Sequence, residues 1–438
     1  MSCISACCRL FVLGVCITAL GIFQAVAVAA PAQQPNAIIG LLEAGEYDAA
    51  RDELRRFLAG RKDTSLHIAH LEGLIARHKG EDAKAVEIFR FILSRQPNFT
   101  PSRIELAKTL ASEGHFDSAS YQLRIIELSS DDPEVRRQAT SFGSAIRDQK
   151  PLSFSGYFSI LPSTNVNRGT GNKTITIGGA KFVINDEGRQ QSGVGVAAGG
   201  SFRRGFALGD QRQILWSGAV DTKKYQDRQF DETTLSTSVA IAQKLRGFNA
   251  EIGLTADHQW RGWQPYMLRY GVFANTAYKL MPLNTLSFGG SLRRQEYDDR
   301  FAYRDGWIAR GSIAFHHAYT PTLSMMLSAN VTAERTTLNH LDHNDLQGQF
   351  QINKNWAGGL MTNFFAKAET HHYLGPFPGT TITRNDTLWS LGMTASHRDF
   401  SYHGFRPEIS YQYTKQISNI SFYDYDTHDI GIYLTRNF

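Results

Sequence analysis

Cysteine is confined to one end of the chain: Cys3, Cys7, Cys8 and Cys16 are all four that the 438 residues contain. Without that end the protein has no thiol, which excludes a disulfide scaffold and any cysteine-based metal or nucleophile chemistry. Long apolar runs are also lacking. Beyond residue 30 no window offers the roughly 18 apolar residues of a membrane helix, so a membrane could be crossed only by a closed barrel. Charge of one sign is not concentrated either. The net charge is +5 and no Lys/Arg block accompanies a nucleic-acid motif, so no nucleic-acid partner is expected. No phosphate-cradling glycine loop is present.

What is present begins with "MSCISACCRLFVLGVCITALGIFQAVAVAAPAQQ". One basic residue, Arg9, precedes an apolar run that ends in small residues at Ala27 and Ala29, the pattern of a secretory signal peptide cleaved after Ala29. A membrane anchor is the rival reading, and the polar "PAQQPN" that follows favours cleavage. Residues 1–29 are therefore read as a signal peptide, 30–149 as a helical domain and 150–438 as a second region of different character.

In the helical region three stretches align: "GEYDAA" from Gly45, "GEDAKA" from Gly80 and "GHFDSA" from Gly114, at spacings of 35 and 34 residues. Gly opens a turn between two helices. Ala50, Ala85 and Ala119 allow close helix approach, and Leu54, Phe89 and Leu123 follow one helical turn later on the same face. The period and these residues resemble the tetratricopeptide family over about residues 36–130. A generic helical bundle is the plainer alternative. Stacked helix pairs form a groove suited to peptides or proteins, so the expectation is an interaction module.

From Pro151 onward the apolar period drops to two. Leu323, Met325, Leu327, Ala329, Val331 and Ala333 alternate with Ser324, Ser328, Asn330, Thr332 and Glu334. Phe248, Ala250, Ile252, Leu254 and Ala256 do the same against Asn249, Glu251, Thr255 and Asp257. A soluble sandwich also alternates. Strand length, aromatic content and the alternation of short with long polar connectors favour a transmembrane barrel. Six short and seven polar connectors join fourteen strands, an even number that leaves both ends on one side. The predicted fold class is thus multidomain: an all-α tetratricopeptide solenoid followed by an all-β 14-stranded transmembrane β-barrel.

A signal peptide, short helical repeats and a terminal fourteen-strand barrel together resemble the surface lipoprotein assembly modulator family, often called Slam. "LPSTNVNRG" at Leu161 to Gly169, "FRPEISYQYTKQISNISFYDYD" at Phe405 to Asp426 and the "RNF" ending are local features similar to that family. The resemblance implies an outer-membrane translocon of a Gram-negative bacterium, with its helical domain in the periplasm. Its partners would be a client surface lipoprotein or secreted protein, outer-membrane lipid, the barrel-assembly machinery and periplasmic chaperones. The main rival is an exopolysaccharide export porin, for which sixteen or eighteen strands would be expected. A passive diffusion porin leaves the helical repeats unexplained.

Candidate client contacts are Ser163, Asn165, Asn167 and Arg168, whose polar groups suit an extended client backbone, though Asn and Gly also simply turn a chain. Glu251, Arg293 and Glu334 are candidate lumen residues. Phe438, the terminal aromatic, is the candidate barrel assembly signal. His340 and His343 beside Asp342 and Asp345, and the pairs His316, His317 and His371, His372, invite a metal or hydrolase reading. Solvated loop residues are the plainer one, so no catalytic, cofactor or metal residue is assigned, and an enzyme is not expected.

Overall fold

A computed structural model describes residues 35–61, 64–130, 132–148, 152–177, 180–209, 211–245, 248–281, 283–320, 322–356, 358–397, 400 and 405–437. Residues 1–29, for which the sequence predicts a signal peptide, and Phe438 lie outside the described residues. The chain divides into two compact units between Arg147 and Asp148.

The first unit is helical: α1 (Pro35–Glu43), α2 (Tyr47–Leu58), α3 (Ser65–His78), α4 (Asp82–Arg95), α5 (Thr100–Ser112), α6 (Phe116–Ser129) and α7 (Pro133–Asp148). The three aligned glycines occupy one repeated position between paired helices. Gly45, Gly80 and Gly114 have φ of 76°, 75° and 80°, a left-handed conformation that glycine adopts without a Cβ penalty. Each turn closes with the same bond, from Glu46, Glu81 or His115 N–H to the carbonyl of Leu41, Ala76 or Leu110, as in a Schellman cap. Ala50, Ala85 and Ala119 are all fully buried, as close helix approach requires. Phe89, Leu106, Leu123 and Ile126 pack in one core cluster, whereas Leu54 is only half-buried against a second cluster around Leu42, Leu71 and Ile75. Between helices, Arg51 forks onto Glu72 at 2.7 and 2.8 Å.

The second unit is a closed antiparallel barrel of fourteen strands. These are β1 (Leu152–Ser163), β4 (Gly193–Ala207), β5 (Arg212–Lys224), β6 (Glu232–Leu245), β7 (Phe248–Arg261), β8 (Gln264–Met281), β9 (Asn284–Tyr297), β10 (Gly306–Thr320), β11 (Leu323–Thr336), β12 (His343–Asn355), β13 (Leu360–Pro376), β14 (Thr383–His397), β15 (Arg406–Ser418) and β16 (Tyr425–Asn437). A small hairpin, β2 (Thr174–Ile177) with β3 (Ala180–Val183), sits in the connector between β1 and β4. Each barrel strand pairs with its sequence neighbour, and β1 meets β16 to close the ring. The last strand therefore has a partner, with Ile160 opposite Ile432 and Phe158 opposite Leu434. Closure leaves no unpaired edge, the condition for a sheet in hydrocarbon.

Strands of 12 to 18 residues exceed the 9–11 that a tilted strand needs to span a bilayer core. Their large apolar side chains point outward: Ile252 and Leu254 are 64% and 65% exposed, and Leu327, Val331, Ile430 and Ile432 share that outer face. The alternation read from the sequence is thus a lipid face against a lumen. Arg436 falls on the lipid-facing parity, and its guanidinium lies 5.3 Å from the centre of the Phe405 ring at the short-connector rim.

The long connectors are ordered by a recurrent device. Asp231, Asp305, Asp342 and Asp424 each accept a bond from a backbone N–H at the end of the preceding strand, at Tyr225, Tyr297, Thr336 and Ser418. A short carboxylate thus latches the loop where two strands diverge, replacing a ladder bond that the turn cannot supply.

Candidate functional site

The lumen is polar and internally paired. Glu251 on β7 faces inward and accepts from Arg203 of β4 at 2.9 Å, although two strands separate them around the wall. Arg293 on β9 also faces inward. Together with Arg269 of β8 it holds the buried Asp257 carboxylate, each at 3.1 Å. Glu334 on β11 faces inward as well, with its Oε2 3.8 Å from His343 Nε2. All three candidate lumen residues therefore stand on the inner wall, each beside an oppositely charged or titratable partner. Three carboxylates and three guanidiniums on this wall thus stand beside groups that offset the cost of placing a charge away from bulk water.

At the end of the barrel that carries the long connectors, the first connector folds over β15 and β16. Ser163 ends β1 with its hydroxyl 3.2 Å from that of Thr427. Asn165 is 2% exposed and fully engaged: its amide donates to the carbonyls of Gly169 (2.9 Å) and Asp426 (3.1 Å) and accepts from Gly169 N–H at 2.9 Å. Asn167 donates to the carbonyls of Arg189 (2.6 Å) and Glu187 (3.0 Å) and accepts from Gln191 N–H at 3.0 Å. These two amides shape the connector. Arg168 between them is different: its backbone is left-handed (φ 51°) and its side chain is exposed.

Arg168 lines a cavity of about 370 Å³ at this mouth, together with Glu187, Arg384, Phe422, Tyr423 and Tyr425. Arg384 is fixed there by Asp386 at 2.5 Å and by the Tyr423 ring, whose centre lies 3.2 Å from its guanidinium carbon. Asn167 and Arg168 of the four candidate client contacts line this space; Asn167 is engaged by its connector, whereas no hydrogen bond or ion pair of the Arg168 side chain is found among the described residues. Arg384 was not singled out from the sequence. The signal for it was present in "TRND", where Arg384 and Asp386 share a strand face, but its aromatic partner Tyr423 lies in a distant connector.

The histidine pairs are split by the two-residue period. His371 faces the lumen and His372 the outer side, where its ring meets Asn385. His316 and His317 divide the same way, and His317 bonds Asn284. In "HLDH", His340 stays in the connector and Asp342 is one of the latches, bonding the Thr336 N–H and hydroxyl. His343 and Asp345 instead belong to β12, a difference from the solvated-loop reading. That reading placed all four in a connector because the strand begins within the motif.

The family described as Surface lipoprotein assembly modifier matches residues 153–438. Surface lipoprotein assembly modifier 1 of Haemophilus influenzae is 20% identical over 387 residues, 84% of this chain and 76% of that protein. Its namesake in Neisseria meningitidis serogroup B is 20% identical over 383 residues, 84% of this chain and 75% of that protein. Among solved structures, a Pseudomonas aeruginosa FadL homologue is 12% identical with a TM-score of 0.35, covering 65% of this chain and 89% of its own.

Proposed function

The chain belongs to the surface lipoprotein assembly modifier family, and we propose that it is an outer-membrane translocon that carries specific client proteins from periplasm to cell surface. Its role in surface lipoprotein assembly and its outer-membrane barrel follow from the family and the closed fourteen-strand ring. The observation that carries the translocation reading is the lumen. Ion pairs on the inner wall, Arg203 with Glu251 and Arg269 and Arg293 with Asp257, accompany a mouth cavity edged by Arg168 and Arg384.

In this reading the helical unit works in the periplasm, where its stacked helices receive the client or a chaperone that delivers it. The short connectors share that side and the long ones face outward. Arg168 meets the client at the outer mouth, while Ser163, Asn165 and Asn167 hold the connector that presents it. Glu251, Arg293 and Glu334 keep the passage wet and weakly adhesive for an unfolded chain. Phe438 serves as the signal that the barrel-assembly machinery reads. Client folding or capture outside supplies the driving force. An exopolysaccharide export porin would be expected to have sixteen or eighteen strands, and the barrel has fourteen.

Combining Arg168→Glu with Glu251→Lys tests the passage. Surface display of the client is expected to fall severalfold while the amount of heat-shifted, folded barrel stays unchanged. Full display at normal barrel levels would contradict a role for the lumen.

A further inference from the structure

We propose that His343, Asp345 and His371 form a luminal site for a first-row divalent cation of the zinc type. The three residues lie on the inner faces of two paired strands. His343 and Asp345 are two apart on β12, and Asp345 stands opposite His371 of β13 in the ladder. Their donor atoms all lie within 4.8 Å of one another. Asp345 Oδ1 is 2.9 Å from His371 Nδ1, and Asp345 Oδ2 is 3.5 Å from His343 Nε2.

A four-coordinate ion with bonds of about 2.1 Å requires neighbouring donors about 3.4 Å apart. Asp345 meets the two imidazoles through different oxygens, at 2.9 and 3.5 Å, and one donor from each of the three residues can be chosen so that none is more than 4.8 Å from another, a spread that side-chain rotation on fixed strands can close. A fourth donor is at hand: Glu334, opposite His343 in the ladder, has its Oε2 3.8 Å from His343 Nε2.

Orientation supplies an independent argument. His343 Nδ1 lies 2.9 Å from the carbonyl of Leu341, so Nδ1 carries the hydrogen and donates it. Nε2 then points at Asp345 and Glu334, and on losing its hydrogen to an arriving cation it would offer its lone pair there, the arrangement that backbone carbonyls impose on metal-ligating histidines. The set is partly dried, with side-chain exposures of 12% to 20% for His343, Asp345 and His371.

Two imidazoles with carboxylates and no sulfur suit zinc or a neighbouring transition metal, whereas calcium and magnesium favour oxygen-only sets. Of the nearby charges, Lys367 is taken up by Glu369 at 3.0 Å, and Arg269 and Arg293 by Asp257 at 3.1 Å each. A bound ion held by these four donors would tie β11, β12 and β13 together. The site rests on its own geometry and does not depend on the transport reading.

The test uses the full chain purified in detergent, stripped with a chelator and titrated with zinc chloride by calorimetry, and with cobalt chloride by visible absorption. One zinc per chain is expected, with the intense cobalt band of a four-coordinate site. Affinity should fall at least about tenfold in His343→Ala and in His371→Ala. It should be unchanged in His340→Ala and His372→Ala, whose side chains lie close in sequence but outside the cluster. Heat-shifted migration checks that each variant is folded, and Asp345→Asn offers a shape-conserving second test with the same expected loss. No stoichiometric zinc binding by the wild-type chain would overturn the site. So would equal weakening by the control variants.

Discussion

His70 shows how a single side chain couples the helical unit to pH. Its ring is enclosed between Phe89 and Phe99, each with its centre 5.7 Å away, and its Nδ1 lies 2.8 Å from the hydroxyl of the fully buried Ser102. Burial disfavours the charged imidazolium and pushes its pKa down to about 4. In the unfolded chain the same group takes up a proton near pH 6.5. The unfolded state therefore binds more protons as pH falls from 6.5 to 4, and stability is lost over that window by at most about 3 kcal/mol. Helical ellipticity should melt at lower temperature at pH 5 than at pH 7, and His70→Phe should remove most of that difference. Equal melting of the wild type at both values would contradict this. Neighbouring Glu72 and Glu105, held low by Arg51 and by Lys108 with Arg77 against their own burial, lose their contribution only below the ordinary carboxylate range. The two effects thus separate along the pH axis.

Strands were readable because a period of two survives without knowledge of partners. Leu254 and Thr255, neighbours on β7, fall on opposite faces as their alternation predicts, with Leu254 outside near mid-strand. Leu254→Arg should destabilise the barrel by about 2–4 kcal/mol, while Thr255→Arg, opening into the lumen, should cost far less. Urea unfolding in bilayers, followed by heat-shifted migration, measures both; equal costs would mean that the two faces are misassigned. What the pattern could not disclose depends on register. His343, Asp345 and His371 are 28 residues apart at the extremes, and only the β12–β13 ladder brings them together. The carboxylate latches were equally hidden, because an Asp in a polar connector does not reveal which backbone N–H it will bind. At the seam, pairing of β1 with β16 runs from Ser155 to Ile160 and resumes at Ser163, skipping Leu161 and Pro162. Proline has no N–H to offer the ladder, which accounts for part of that gap.

At the scale of the whole chain, a helical unit with a repeated glycine turn and a closed barrel are joined in one polypeptide. The repeat spacing and the connector count were both legible, since each is a periodicity. The family match over residues 153–438 rests on the barrel and leaves the helical unit's partner to be found. If the unit and the lumen serve one task, losing the chain should remove a small, defined set of proteins from the cell surface and leave general permeability intact. The measurement that addresses this most directly compares the surface-exposed proteome, collected by protease shaving of intact cells, with and without this chain. The account predicts that one or a few proteins vanish from the surface and accumulate in the periplasm or on the inner leaflet. An unchanged surface proteome, accompanied by loss of a polysaccharide or of small-solute uptake, would contradict it.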